Sequence, residues 1–327
     1  MTTSVAGTGE FEKFGPWIDE VRTPADVPPL FRSYPLDLTS TALVLKVPRS
    51  IHRRDATADM DLYDHMLVLD DIGLTALSRR TDGDRHHRRG TRREPGSYTV
   101  WSVRYVDVAA VQDSVSLLDA SFTVLSRAGD ALTVRYNGSA RASVQRLVDA
   151  LRVGTTSDVL SRAGGALREA GRYVATETTA VVLPQDQALV SNLREAQRGR
   201  PALAPWAWHG RSRVSRRAGG IGRAVARITD AVNPVTLHGA ILASDGVALE
   251  VLGRRDPLTR GTMPDHSASH LVVALNTLET VTIEGHASFD GVVTAGLVLG
   301  GARLELQLPE GSPAHHLLYQ AAAATTS

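Results

Sequence analysis

The chain has 327 residues, 43% of them hydrophobic and 22% charged, with 36 basic against 35 acidic residues and no cysteine. That length suggests about two domains, and the composition fits a folded chain rather than a disordered one. Without cysteine there is no disulfide framework, no thiolate metal site, no iron–sulfur cluster and no cysteine nucleophile. A formal charge of +1 leaves no strong overall field, although local patches are still allowed.

Lys13 and Lys46 are the only lysines, so lysine chemistry has two positions to choose from. Residues 1–10 are small and polar and predict a disordered tail. The start lacks a basic region followed by an apolar one, and no tract reaches about 18 apolar residues. The expectation is a cytoplasmic protein, with a peripheral place at the inner membrane face left open. Residues 11–36 mix Phe11, Phe14, Trp17, Ile18, Val21, Leu30, Phe31 and Tyr34 with five prolines. Trp17, Ile18 and Val21 fit one helical face, which predicts a short helix and an extended arm lying on a neighbouring surface.

Strand signals begin near residue 37. Ala42–Val47 is a β-rich apolar run closed by Pro48, and Met66–Leu69 and Leu74–Ser78 flank a turn at Asp70, Asp71 and Gly73. Arg79–Ser97 (RRTDGDRHHRRGTRREPGS) has no apolar period and reads as a long polar loop. Tyr98–Tyr105, Val106–Val111, Val115–Leu118, Phe122–Ser126 and Leu132–Tyr136 form a meander. Val144, Leu147, Val148 and Leu151 then give the stripe of a core-facing helix.

Between 153 and 233 the pattern changes. Val159, Ala163, Leu167 and Ala170 suggest a helix weakened by Gly164 and Gly165. Tyr173–Leu183 suggests a strand, Gln185–Gln197 and Ile221–Val232 suggest helices, and Arg198–Gly220 is rich in arginine and tryptophan. From Pro234 strands return: a hairpin around Asp245-Gly246, then Leu271–Leu275, Val281–Glu284, Val292–Leu299 and Leu304–Leu308. Ser312 and Pro313 open a last helix.

The two strand-rich stretches follow one order. MLVLDDIGLTALSRR (66–80) stands beside AILASDGVALEVLGRR (240–255), LLDASFTV (117–124) beside SFDGVVTA (288–295), and LTVRYNGSA (132–140) beside LELQLPEGSP (304–313). On this order, and on VDVAAV, SLLDASFTV and LTVRYNGSARASVQRLVDALR, the chain resembles the bacterial pleckstrin-homology-like family across 37–152 and 234–325. The resemblance implies an α+β fold of two antiparallel curled sheets, each a partial barrel capped by its C-terminal helix and joined by a partly helical connector. The implied layout is an arm at 1–36, one domain at 37–152, an Arg-rich connector at 153–233 and a second domain at 234–327. It implies binding, scaffolding or assembly, and no shared ligand or cofactor.

Motifs for chemistry are weak. Ala218–Ala226 (AGGIGRAVA) looks like a dinucleotide turn but follows HGRSRVSRR instead of a strand. There is no P-loop and no G-x-S-x-G elbow. His266 and His270 read as part of a hydrated loop, and His315 and His316 as neighbours on different faces of a helix start. No acid, base and nucleophile converge, so no catalytic, metal or cofactor residue is assigned. A non-enzymatic reading leads, with an enzyme of unrecognised type behind it. The candidate interaction surface is basic: Arg85, His86, His87, Arg88, Arg89, Arg92 and Arg93 in the first loop, and Trp206, Trp208, Arg211, Arg213, Arg216 and Arg217 in the connector. Arg with Trp suits an anionic membrane surface or an acidic protein partner. Nucleic acid, bound through phosphates and stacking, is the lesser reading.

Overall fold

The computed structural model describes residues 11–12, 14–57, 59–80, 98–177, 186–217, 234–261 and 266–326. In chain order the elements begin with β1 (Asp19–Glu20), β2 (Thr41–Pro48), β3 (Tyr63–Asp70), β4 (Gly73–Arg79) and β5 (Tyr98–Arg104). β6 (Val108–Ser116), β7 (Asp119–Ser126), β8 (Ala131–Asn137) and helix α1 (Arg141–Thr155) follow. Helices α2 (Arg162–Glu177) and α3 (Gln187–Gly199) lead to β9 (Ala204–His209), β10 (Ser212–Arg216), β11 (Val235–Leu237), β12 (Ala240–Ser244) and β13 (Ala248–Gly253). The last are β14 (Leu258–Arg260), β15 (Ser267–Ala274), β16 (Thr280–Gly285), β17 (Phe289–Asp290), β18 (Val292–Leu299), β19 (Ala302–Pro309) and α4 (Pro313–Thr326). The protein is α+β, with several antiparallel sheets and four helices among the described residues.

Two compact units are present. One comprises Met1–Asp107, Leu118–Phe122 and Leu132–Gly154, the other Val108–Leu117, Thr123–Ala131 and Thr155–Ser327. In the first, the order β1-β2-β3-β4-β5 is a plain antiparallel meander. Alternation along β2, β3 and β4 sends Val44, Met66, Val68 and Leu77 to one face, where Phe14, Val21, Leu30 and Phe31 cover them. The N-terminal arm is therefore the lid of that face. It is not the short helix expected around Trp17. Trp17 is 55% exposed, Ile18 and Val21 are buried, and the intervening Asp19 and Glu20 pair with Lys46 and Leu45. Strand pairing satisfies the backbone there and imposes a period of two. Arg146 of α1 ties down the same stretch, 2.9 Å from Glu20.

In the second unit β15 is central. It pairs with β13 on one side and with β6 on the other, Val272 facing Val111 and His270 facing Asp113. β13, β12 and β9 continue the sheet on the β13 side. The expected boundary at 152 is thus crossed by hydrogen bonds between β6 and β15. The core lies on the face bearing Leu242, Leu249, Leu271 and Val273. Ala295 and Leu297 of β18, Leu167 of α2 and Leu317 and Leu318 of α4 fill it. The opposite face carries Ile241, Ala243 and Leu252 against Leu189 and Leu193 of α3.

One further expectation changes. Tyr173 to Glu177 continue helix α2 instead of starting a strand, because Ala170 and Val174 keep the helical stripe on the core. Helices α2 and α3 fall in the partly helical connector, and its Arg-rich stretch, to which the sequence assigned no element, supplies two strands, β9 and β10. The predicted tail at 1–10, the loop at 81–97 and the glycine-rich motif and helix at 218–232 lie outside the described residues.

Candidate functional site

Arg85, His86, His87, Arg88, Arg89, Arg92 and Arg93 fall outside the described residues. The connector residues are placed. Trp206 is buried in the second unit's core, where its indole lies so close to α2 that a Cβ on Gly171 would stand 2.3 Å from the ring. Trp208 packs on the other face of the sheet beside Leu189, Leu193 and Leu252. Trp206 is thereby committed to the core, whereas Trp208 is half-buried. The backbone N–H of Arg211 donates to Asp186 at 3.2 Å. Arg213 and Arg216 flank the buried Val214 on β10 at odd spacing, so they point to opposite faces. Arg217 is exposed and ion-paired with Asp290 at 3.1 Å. Alternation turns Arg216 away from Arg213, while Arg213 and Arg217, four positions apart and both exposed, fall on one side of the strand.

A buried charge network was missed. Glu250 on β13 is fully buried, with one carboxylate oxygen 2.8 Å from His270 Nε2 and the other in contact with Arg200, just beyond α3. Asp113, also fully buried, is the cross-strand neighbour of His270. His270 is thus a strand residue of the core and not part of a hydrated loop. No signal in its immediate sequence distinguishes the two, since the carboxylate that satisfies it is twenty positions away. Such a pairing resolves the cost of burying charge. It lies on the sheet face that α3 covers.

The opposite face borders a cavity of about 150 Å³, lined by Gln112, His209, His238, Val251, Ser269 and Leu306 among others. Ordinary ligand pockets start at roughly 300 Å³. His238 Nε2 is 2.7 Å from Thr259 Oγ1, and Gln112 donates to Ser269 Oγ at 3.0 Å. His209 Nδ1 lies 3.4 Å from the carbonyl oxygen of Gly210, and its Nε2 is buried without a hydrogen-bond partner. Burial pushes the His209 pKa down to about 4, so the ring is neutral at pH 7 and a poor general base there. This walled space holds no acid–base–nucleophile arrangement among the described residues.

His209 does set a pH dependence. The unfolded chain takes up a proton near pH 6.5 that the folded chain refuses until about pH 4, so stability falls as pH drops through that window. Between pH 7 and pH 5 the expected loss is about 2 kcal/mol. Urea titrations of wild type and His209→Phe at both pH values measure it. Equal pH slopes for the two proteins would reject His209 as the source.

What the sequence did not reveal is which strands have open edges. β5 pairs with β4 and with no other strand among the described residues, and Val100 on it is 54% exposed. Leu117 and Leu118, at the β6–β7 turn, are exposed as well. No family model, curated protein or solved structure matches this chain. Among the described residues no helix is long and apolar enough to cross a membrane.

Proposed function

We propose that the chain is a non-enzymatic scaffold built from two pleckstrin-homology-like repeats, and that it holds other polypeptides along open strand edges. One observation carries the reading: the same order of elements occurs twice. Four strands, three strands and a helix appear as β2-β3-β4-β5, β6-β7-β8 and α1. They recur as β9-β12-β13-β15, β16-β18-β19 and α4. In this reading each repeat is a partial barrel curled around its own core, with the closing helix at its end. The second repeat begins earlier than the sequence suggests, at β9, and carries β10, β11, β14 and β17 as additions.

A strand edge offers unpaired N–H and C=O groups that a second polypeptide can satisfy. A partner of this kind is held by backbone hydrogen bonds and needs no chemical site. Of the two tryptophans assigned to an anionic membrane surface or nucleic acid, Trp206 is buried in the core.

The test is photo-crosslinking in living cells, with a photoreactive residue at Val100, at Leu117 or, as a buried control, at Ala109. Discrete covalent adducts with protein are expected at the exposed positions and not at Ala109. An absence of protein adducts at both exposed positions would remove the scaffold reading.

A further inference from the structure

Resting on that reading, we propose that the partner for the β5 edge is β16 of a second copy of this chain, so that molecules join head to tail. The chain displays the required joint internally. β6 opens the three-stranded part of the first repeat, β15 closes the four-stranded part of the second, and the two pair antiparallel over seven positions, Ser267–Val273 against Ala110–Ser116. Their counterparts in the other repeat are β16 and β5. Both are edges: β16 pairs with β18 alone, and β5 with β4 alone, among the described residues.

The internal joint also fixes the register. The rungs Leu67–Ala76–Trp101 and Leu242–Val251–Leu271 make Trp101 the counterpart of Leu271, and so Val100 that of His270. On the other side, the buried pair Val111 and Asp113 corresponds to Val281 and Ile283, which face the core from β16. The rung Asp113–His270 then becomes Ile283 opposite Val100, two β-branched side chains that suit a cross-strand pair. This gives the half-exposed Val100 an apolar neighbour. The rung Ser114–Ser269 becomes Glu284 opposite Thr99, and continuing one position past the other end sets Arg104 opposite Glu279, opposite charges on two exposed residues.

The two edges are different surfaces, so the contact is heterologous and each added molecule leaves one edge of each kind free. Growth into chains follows, or into rings if the rotation closes. β5 also lacks the proline, lysine and bulge that protect natural edges.

The absence of cysteine makes the test clean. In the internal joint the Ser114 and Ser269 hydroxyls are 3.2 Å apart, so cysteines at the matching rung, Thr99→Cys and Glu284→Cys, are placed to form a disulfide between molecules. With the purified full chain, a mixture of the two single variants is expected to give a cross-linked dimer that neither gives alone. The double variant should give a ladder of higher species. Val100→Lys, at an exposed position, should abolish the ladder and the concentration-dependent mass seen by sedimentation, with the circular dichroism of the wild type retained. Dimer in the mixture no greater than in either single variant overturns the proposal, as does a ladder that survives Val100→Lys. If the purified chain stays at 35.0 kDa at all concentrations while Val100 crosslinks to other proteins in cells, self-assembly fails and the scaffold reading stands.

Discussion

Glu250→Ala is expected to destabilise the protein by about 3–5 kcal/mol, the usual cost of removing one member of a buried charge network. The carboxylate has no solvent exposure, and its two oxygens are committed to different partners, one to Arg200 and the other to His270. Removing it takes the carboxylate from a guanidinium whose side chain is only 15% exposed. The imidazole loses its acceptor in the same step. Glu250→Gln should recover part of the loss, because an amide oxygen still accepts a hydrogen bond although the charge is gone. Replacing the three residues together, as Arg200→Met, Glu250→Leu and His270→Phe, should land nearer to wild type than the single alanine variant, since buried polar partners are removed together and apolar groups fill their place. Urea unfolding with an unchanged m-value is the measurement. A midpoint for Glu250→Ala within error of wild type would show that the network contributes nothing to holding α3 on the sheet.

Two adjacent glycines in α2 should respond in opposite directions to the same substitution. A Cβ on Gly164 would stand 2.0 Å from the carbonyl oxygen of Leu275. That oxygen cannot retreat, because Ser161 Oγ donates to it at 2.9 Å and also contacts Leu278 O. Gly164 N–H in turn donates to Ser161 Oγ at 2.9 Å, which fixes the first turn of the helix. Gly164→Ala must therefore lift α2 from the turn after β15, and about 3 kcal/mol of lost stability is expected for overpacking of this kind. Gly165 has nothing within 4 Å of the same added atom. Gly165→Ala should stabilise by about 0.5–1 kcal/mol, through helix propensity and a less flexible unfolded chain. Thermal melts of the two variants side by side decide it, and a shared direction would refute the close-approach argument.

This glycine pair illustrates what sequence can and cannot reveal here. Both residues weaken the helical pattern equally on paper, and only the position of Leu275 separates them. The hairpin around Asp245-Gly246, the alternation in β7 and β8 and the stripe on α1 are local, and they were legible for that reason. β9 was not, because Ala204–His209 contains a proline and two tryptophans amid arginines and lacks any clean alternation. Its strand character comes from pairing with β12, a long-range partner. The pairing of β6 with β15 is of the same kind: each strand was legible in its own stretch, but neither sequence names its neighbour. The candidate surface is described only in the connector, since residues 85–93 lie outside the described residues. Composition counted arginines and tryptophans along the chain, whereas burial and strand alternation decide which of them can meet a partner together.

The β6–β15 seam has a practical consequence for anyone dissecting this protein by truncation. Cutting the chain after α1 does not liberate a self-contained N-terminal piece, because β6 is stitched to β15 of the C-terminal part. The C-terminal piece is injured in the mirror-image way, since β15 loses the neighbour that seals it. Loss of activity on either deletion would report an opened sheet, and assigning that activity to the removed half would be a mistake of bookkeeping.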